Sequence, residues 1–311
     1  MANSCVYAKL PRGGLGNKML VWARALVFSQ RNSLPLFVSR WAEVKLGPFL
    51  RGEKSKRQYW GYFSGKNNPG IIQKILFYCL YEKVHEPSTK KVLSPGSGKK
   101  LYFYDTVPDW NDYFDGLRGH EDLIRVSFFS MLTAKYREIL ANEKTPVVAV
   151  HVRRSDFREL NPGEVHSESC NVRTPIQYYL RTIELLRSES GQALPVTIFT
   201  DGHKEDVLEL LALPNVTLAD PNPDIVDLLL ISRAKCIVVS ANSTFSYWAA
   251  FLSEALVITN PVHEINIRSK DLRENFFEGP THDHLGSCDL FRKNIARLKL
   301  KGLEVYKGNS F

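Results

Sequence analysis

The sequence predicts an α/β protein with parallel sheets, organised as two domains. From Val147 onward, short β-branched and apolar runs alternate with segments of helical pattern, which is typical of a parallel sheet covered by helices. The 311 residues exceed the usual size of one domain. A hydrophobic content of 44% and a charged content of 24% are ordinary for globular proteins, so the chain can build two cores.

The elements can be followed in chain order. Residues 5–10 predict a first strand and residues 22–28 lie in a first helix, whereas residues 46–98 predict loops and short helices, with a turn over 94–100. The second half is more regular. There we predict strands over 147–152, 195–200, 216–219, 236–240 and 255–259, and helices near 175–190, 203–212, 224–233 and 243–253.

The most informative segment spans residues 147–157. An apolar run ends in two adjacent arginines, Arg153 and Arg154, followed closely by Asp156. In an open α/β sheet, ligands lie beyond the carboxyl ends of the strands, so these charges would reach a binding edge. The planar guanidinium fork suits phosphate oxygens and stays charged at working pH. The pattern therefore indicates a phosphate-bearing ligand, or else a surface ion pair that contributes little.

A glycine-rich segment follows the first predicted strand. Gly13, Gly14 and Gly16 precede the first predicted helix. Glycine lets the backbone turn through positive φ and approach a ligand closely, and a helix start offers N–H groups to an anion. Because Met19 stands where the dinucleotide-binding fingerprint needs its third glycine, that fingerprint is excluded. A turn that serves packing alone is the alternative.

A similar strand, turn and helix pattern covers residues 236–252. Ser243 and Thr244 fall where the helix would begin. Their hydroxyl groups can cap that helix, or they can bind a phosphate together with its unpaired N–H groups. The residues alone leave both interpretations open.

In order and approximate spacing, the three segments together resemble the α-1,2-fucosyltransferase family, which is glycosyltransferase family 11. Asp201, at the end of the strand predicted over 195–200, and the segment 227–232 are also similar to that family. The resemblance is closest in the first thirty residues and over 145–260. It is weakest over 40–140, where an acceptor pocket would be expected.

Several positions depart from the motifs of the family. Ser155 and Phe157 replace a glycine and a tyrosine in the arginine motif. Lys18 and Leu20 replace a glutamine and a phenylalanine after the glycines, and Tyr247 replaces a tryptophan. These departures leave the core chemistry in place but open the choice of acceptor and of sugar.

The resemblance implies a GT-B-like fold, in which two Rossmann-like domains face each other across a cleft. It also implies inverting, metal-independent transfer of fucose from GDP-fucose to a glycan hydroxyl, without a further cofactor. Such a transferase must stabilise the charge on the departing diphosphate with preorganised protein donors. The expected divisions are an acceptor-side domain over 1–144, a nucleotide-sugar domain over 145–285 and a C-terminal helix over 286–311 that packs back on the first domain.

By resemblance, Arg153 would contact the β-phosphate with support from Arg154, while the glycine loop closes from the opposite domain. Asp156 is the best candidate for a catalytic base. An arginine partner would stabilise its carboxylate and weaken it, but a transition state with oxocarbenium character reduces the need for a strong base. The remaining expected donor contacts are His151, Gly14, Gly16, Asn17, Asp201, Asn242, Ser243, Thr244 and Phe245. For Asn17 a turn, and for His151 a buried core histidine, are the structural alternatives.

The net charge of +8 and pI near 9.1 favour anionic partners such as a nucleotide sugar, an acidic or lipid-linked glycan, or a phospholipid surface. The sequence has no apolar run of about twenty residues and no signal-peptide pattern at its start, so we expect a cytoplasmic protein, free or peripheral at the inner membrane face. Residues 293–301 predict a short closing helix or, alternatively, a basic membrane-surface helix.

Cysteine and histidine spacing suggests neither a disulfide framework nor a metal site. Five cysteines include no C-x-x-C pair, and Cys5 and Cys236 lie in apolar runs expected in the core. His282 and His284 are best interpreted as a loop cluster. Two other functions stay open: transfer from a different nucleotide sugar and, less favoured, binding of nucleic acid through the basic charge and the aromatic run 59–63.

Overall fold

A computed structural model of the chain describes residues 4–44, 57–65, 68–93, 98–109, 111–165, 171–281 and 285–300. These residues form two compact α/β units, of which the first extends to Arg137 and the second begins at Glu138. Each unit contains one sheet, and the strand pairs within each sheet are parallel. The predicted α/β fold class is confirmed.

The first unit contains strands β1 (Ser4–Ala8), β2 (Leu36–Val38), β3 (Glu82–His85) and β4 (Lys100–Tyr104), and helices α1 (Leu15–Arg31), α2 (Ile71–Leu80), α3 (Glu121–Met131) and α4 (Ala134–Asn142). Helix α4 runs across the division between the units. The strand order is β2-β1-β4-β3. The carboxyl ends of these parallel strands therefore lie at one edge of the sheet, where the chain enters α1 after β1.

Aromatic side chains fill the core of the first unit. Trp22 and Phe28 on α1 are fully buried. The Phe28 ring packs on Tyr102 and Tyr104 of β4, at centroid distances of 4.9 and 5.9 Å. Tilted ring pairs of this kind add to the stabilisation that comes from burial of apolar area. They hold α1 against the sheet.

The segment between residues 46 and 98 contains a short helix, as predicted, and a strand that was not predicted. It includes the ten-residue helix α2 and the edge strand β3. Within the described segments, strand β3 pairs with β4 alone. It is largely exposed, so its residues show no apolar run from which a strand could be predicted. Residues 45–56, 66–67 and 94–97 lie outside the described residues.

The second unit contains strands β5 (Val148–Val152), β6 (Val196–Thr200), β7 (Val216–Leu218), β8 (Cys236–Val238), β9 (Leu256–Thr259) and β10 (Glu278–Pro280), and helices α5 (Ile176–Ser190), α6 (Leu208–Leu211), α7 (Asp224–Arg233), α8 (Thr244–Phe251), α9 (Lys270–Asn275) and α10 (Asp289–Ala296). Its strand order is β10-β9-β8-β5-β6-β7. All five residues of β5 are buried, as expected for a central strand of a parallel sheet.

The strands and helices predicted from residue 147 to residue 259 are confirmed, with small shifts at their ends. The helix predicted over 203–212 is a 3₁₀ turn, Lys204–Val207, followed by α6. Strand β8 ends at Val238, two residues before the predicted end. The last helix begins at Asp289 rather than Lys293, because Phe291 and Ile295 face the core.

In the second sheet, the side on which successive strands are added changes at β5. Strands β6 and β7 are added on one side of β5, whereas β8, β9 and β10 are added on the other. In open α/β sheets, the crevice at the carboxyl ends of the strands on either side of such a reversal binds ligands. Residues that follow β5 and β8 therefore lie at the expected ligand edge.

Helix α10 packs within the second unit. Its residues Phe291 and Ile295, with Leu298 beyond it, belong to the same core cluster as the side chains of β5, and α10 contacts α5. The expected return of residues 286–311 to the first domain stays a prediction, and residues 301–311 lie outside the described part of the chain.

Both predicted core cysteines are buried. Cys5 and Cys236 lie in β1 and β8, and burial raises the pKa of both thiols, that of Cys5 to about 11. Cys5, Cys79, Cys236 and Cys288 are free thiols, and Cys170 lies outside the described residues. Within the described residues, every helix is too short or too polar to cross a membrane.

Candidate functional site

Arg153 is held in place from both its main chain and its side chain. Directly beyond β5, its backbone N–H donates to the Ser240 hydroxyl at 2.9 Å. Its guanidinium lies between two carboxylates, with Nη2 2.6 Å from Asp156 Oδ1 and Nη1 2.6 Å from Asp201 Oδ2. It also lies 5.3 Å from the centroid of the Phe157 ring. The residue is thus a preorganised cation at the carboxyl edge of the sheet.

Arg154 is directed differently from its neighbour. It is only 4% exposed, and its Nη1 donates to the carbonyl oxygen of Thr174 at 2.9 Å. Its backbone N–H donates to Asp201 Oδ1 at 2.8 Å. Arg154 therefore anchors the loop before α5, and Asp201 orients both arginines through its two oxygens.

Ser240 is a central residue that the sequence prediction did not identify. Its hydroxyl accepts from the Arg153 N–H, donates to the His151 carbonyl oxygen at 2.7 Å and lies 2.6 Å from the buried Tyr179 hydroxyl. Nearby, Thr174 Oγ1 accepts from the backbone N–H of Ala241 at 3.1 Å. These bonds join the ends of β5 and β8. The only sequence signal was a serine at the end of an apolar run.

His151 is buried, with 3% of its surface exposed, and its Nδ1 has no hydrogen-bond partner among the described residues. Burial, with a smaller contribution from the Arg153 charge, lowers the pKa of His151 to about 3. In the ligand-free protein the ring is therefore neutral at physiological pH. It packs beside the Phe245 ring at a centroid distance of 5.1 Å. The planes of the two rings are inclined at 31° to each other.

The turn between β8 and α8 has a second buried polar atom without a partner. Asn242 adopts a left-handed conformation with φ 57°, and its buried Oδ1 has no hydrogen-bond partner in the part of the chain that the structure describes. Its N–H donates to the Tyr247 hydroxyl at 2.8 Å, which in turn contacts His263 Nδ1 at 2.7 Å. Buried polar atoms are nearly always paired in proteins, so these orphaned atoms of His151 and Asn242 point to a ligand at this edge.

Ser243 precedes α8, as predicted, but its side chain makes no capping hydrogen bond. The capping interpretation of this serine is therefore wrong. Ser243 is buried, whereas Thr244 and Phe245 are partly exposed in the first turn. The turn thus brings the four predicted residues 242–245 to the same edge as Arg153.

The glycine segment of the first unit has the predicted order of strand, loop and helix, but not the predicted backbone conformation. Gly14 has φ −64° and ψ 164°, and none of the three glycines is among the described positive-φ residues. Helix α1 begins at Leu15, so Gly16 and Asn17 belong to its first turn. The expectation of positive φ is wrong, because an extended loop makes the turn. An added Cβ at Gly14 would have no neighbour within 4 Å, so the space beside it is open.

Lys18, a departure from the family motif, is a buried structural residue. It is 1% exposed, and its Nζ donates to the Pro11 carbonyl oxygen at 2.9 Å and pairs with Glu43 at 3.0 Å. It also lies 6.0 Å from the centroid of the Tyr59 ring. Lys18 thus joins the loop after β1 to the segments around residues 43 and 59.

The candidate site residues lie in different units. Gly14, Gly16 and Asn17 belong to the first unit, and the others belong to the second. Closure of the glycine loop over the donor stays a prediction. In the described part of the chain, no group of three or more His, Cys, Asp or Glu side chains could hold a metal ion, and residues 282–284 lie outside it.

Comparison with known proteins finds one matching family. The model described as "Glycosyl transferase family 11" matches residues 10–274. Curated proteins give no significant match. Solved structures of similar shape include fucosyltransferase NodZ from Bradyrhizobium, at 14% identity over 82% of this chain and 94% of that chain, with a TM-score of 0.47. Another is Arabidopsis thaliana FUT1 in complex with GDP, at 12% identity over 87% and 73%, also with a TM-score of 0.47.

Proposed function

This chain belongs to glycosyl transferase family 11, and we propose that it transfers fucose from GDP-fucose to a hydroxyl of a glycan acceptor. The proposed linkage is α-1,2, formed with inversion and without a required metal. The chain is a glycosyltransferase by membership of the family. The observation that carries the proposed donor site is the position of Arg153 beside the unpartnered buried atoms of His151 and Asn242, where the second sheet reverses.

Arg153 is the proposed ligand of the β-phosphate. It donates one hydrogen bond to Asp156 and forms an ion pair with Asp201, and we assign further N–H groups of its five-donor guanidinium to phosphate oxygens. As the bond from the fucosyl C1 to the phosphate oxygen breaks, negative charge builds on GDP. A cation that is already oriented stabilises this charge without reorganisation at the moment of reaction. The backbone N–H groups at the start of α8 are the proposed contacts for further phosphate oxygens.

The acceptor hydroxyl forms the new bond to C1 in the same step and releases its proton to water. Asp156 is held by Arg153, so we propose that it mainly orients the arginine. Loss of the proton late in a transition state with oxocarbenium character removes the need for a strong base. We assign the face formed by His151 and Phe245 to the nucleotide.

The test is calorimetric titration with GDP, GDP-fucose, GDP-mannose and UDP-glucose, without metal. We expect wild-type protein to bind GDP and GDP-fucose, Arg153→Ala to lose both, and Arg158→Ala to retain them. Arg158 is a matched control, because it lies in the same loop but pairs with Glu164 at 2.6 Å. Absence of binding to every guanosine ligand would contradict the proposal. Preference for UDP-glucose would reassign the donor.

A transferase with another nucleotide sugar is the second candidate, since Ser155 departs from the family motif. The departure at Lys18 no longer favours it, because packing accounts for that buried lysine. The titration with GDP-mannose and UDP-glucose separates the two candidates. Nucleic-acid binding is set aside, because the chain belongs to an enzyme family.

Peripheral contact with an anionic membrane is also part of the proposal, and helix α2 supports it. The exposed face of α2 is apolar: Ile71 is 80% and Ile72 is 75% exposed, and Ile75 and Leu76 continue the same face. Exposed apolar surfaces of this kind mark interaction sites. Charge favours an anionic bilayer as the occupant. The described first unit carries 17 Lys and Arg against 9 Asp and Glu, whereas the second carries 17 against 20.

A further inference from the structure

The first unit contains a cavity of about 170 Å³ at the carboxyl edge of its sheet. Its aromatic walls are Trp41, Trp60 and Phe63, and Arg40, Ser64 and Asn68 supply polar groups. Residues 40 and 41 follow β2, and β2 lies beside β1 in the same parallel direction. The cavity therefore occupies the edge at which open α/β sheets bind ligands.

The exposed indole of Trp60 is held on a fixed backbone. Trp60 is 57% exposed, although a buried position is usual for so large a ring. Hydrogen bonds join the surrounding loop to the end of α3 and the residues that follow it. The backbone N–H of Thr133 donates to the Tyr62 carbonyl oxygen at 3.0 Å, and the Thr133 hydroxyl donates to the Gly61 carbonyl oxygen at 2.8 Å. The backbone N–H of Ser64 donates to the Met131 carbonyl oxygen at 2.8 Å. The ring is thus presented to solvent by a rigid segment.

The loop also contains backbone strain next to the cavity. Tyr59 has φ 57° and Gly61 has φ 72°, both in the left-handed region. For an aromatic residue this conformation is unfavourable, and it persists because the Tyr59 ring is buried. Packing of Trp41 against Phe63, at 4.3 Å between centroids, stabilises the wall facing the same cavity. Strain retained in this way is a feature of ligand-binding segments.

We propose that this cavity binds one pyranose ring of the glycan acceptor, stacked on the indole of Trp60; the inference depends on the proposed transferase function. One face of a pyranose presents C–H groups that suit an aromatic ring, and its hydroxyls require polar partners at the edge. Trp60 supplies the aromatic ring, and Arg40, Ser64 and Asn68 supply the polar partners. A volume of about 170 Å³ suits a single sugar ring, because pockets for drug-sized ligands are larger, roughly 300–1,000 Å³.

The experiment is saturation-transfer NMR on the full chain with methyl β-galactoside, methyl β-glucoside and lactose as probes. We expect saturation of ring protons of at least one probe in the wild type and about tenfold weaker binding in Trp60→Ala, which removes the stacked ring. Trp60→Phe should restore binding in part. Tyr78→Ala, an exposed aromatic residue of α2 outside the cavity, is the matched control and should bind as the wild type does.

Equal saturation in the wild type and Trp60→Ala would overturn the proposal, as would absence of saturation with all three probes. GDP titration of the same variants separates this inference from the donor proposal. Trp60→Ala should bind GDP normally, and Arg153→Ala should bind the sugar probes normally. If the wild type does not bind GDP but its sugar binding is lost in Trp60→Ala, the donor proposal is contradicted and the sugar-binding inference is supported.

Discussion

The hydroxyl of Ser240, beyond β8, accepts a hydrogen bond from the backbone N–H of Arg153, beyond β5, at 2.9 Å. The same hydroxyl donates to the carbonyl oxygen of His151 at 2.7 Å. One serine thus fixes the backbone on both sides of Val152, at the point from which the guanidinium of Arg153 extends. Its neighbour in space, Tyr179, is itself buried and supports the serine from α5.

Ser240→Ala should destabilise the protein by about 1–3 kcal/mol, because the Arg153 N–H and the Tyr179 hydroxyl would lose a buried partner. Turnover should fall further than acceptor affinity, since Arg153 would lose its fixed position. Urea unfolding and the separate effects on kcat and KM measure the two consequences. Ser243→Ala is the control for the unfolding measurement alone, because the Ser243 side chain makes no capping bond. Equal unfolding free energies for the two variants would refute the assigned role of Ser240.

Asp201→Asn should weaken GDP binding, because Asp201 contacts both the side chain of Arg153 and the backbone of Arg154. The loss should be smaller than that in Arg153→Ala, and the two changes should not be additive in the double variant. Calorimetry of the four proteins gives the coupling. Glu164→Gln, which removes the partner of Arg158, should leave GDP binding unchanged. Additive losses would show that Asp201 acts independently of Arg153.

Gly14→Ala distinguishes a role of this glycine in close approach to the donor from a role in folding. Gly14 has a negative φ, and an added Cβ would meet no atom within 4 Å, so the melting temperature should stay near that of wild type. If the loop approaches the donor closely, activity should still fall by about tenfold or more. The opposite control is Gly202→Ala, whose Cβ would lie 2.6 Å from both Arg154 Cβ and Asp206 Oδ2 and should destabilise the fold. Unchanged activity in Gly14→Ala would exclude a close approach at this glycine.

His151 should make stability depend on pH below neutrality. The folded protein holds the pKa of His151 at about 3, whereas the unfolded chain binds this proton below about 6.5. The contribution of His151 to the free energy of unfolding is therefore fully present above a pH of about 6.5. It is lost as the pH falls from about 6.5 toward 3, by up to ~1.4 kcal/mol per pH unit. Urea unfolding of wild type and His151→Asn between pH 7 and pH 5 measures the difference. Parallel pH profiles for the two proteins would contradict it.

Ile72→Glu combined with Ile75→Glu should abolish binding to vesicles that contain anionic lipid. Inserted isoleucines contribute about 1.5–3 kcal/mol each, so the double change removes most of the apolar contribution. Cosedimentation with anionic and with neutral vesicles measures both the affinity and its charge dependence. Val126→Glu changes an exposed apolar residue of α3 and should bind normally. The membrane contact would be refuted if the double variant bound vesicles as strongly as the wild type does. It would also be refuted if neither protein bound vesicles and the double change instead abolished self-association of the chain.

Local pattern was sufficient to predict the second sheet. Its strands are buried on both faces and appear as short apolar runs, and its helices alternate with them, so residues 147–259 were predicted closely. The edge strand β3 was missed because an exposed strand with one partner needs no apolar run. The backbone of Gly14 was also mispredicted, since glycine permits positive φ but does not require it.

The sequence by itself determined the α/β class, the family resemblance and the positions at which charged and polar residues leave their strands. Only the tertiary structure decided which of them meet: Arg153 faces two carboxylates, Arg154 is buried against Thr174, and Ser240 joins two strands. The physical reason is that strand order is set by packing among residues distant in the chain. The hydrogen bonds beyond β5 and β8 form because these two strands are neighbours in the sheet, although they are distant in the sequence. No local sequence pattern contains that information.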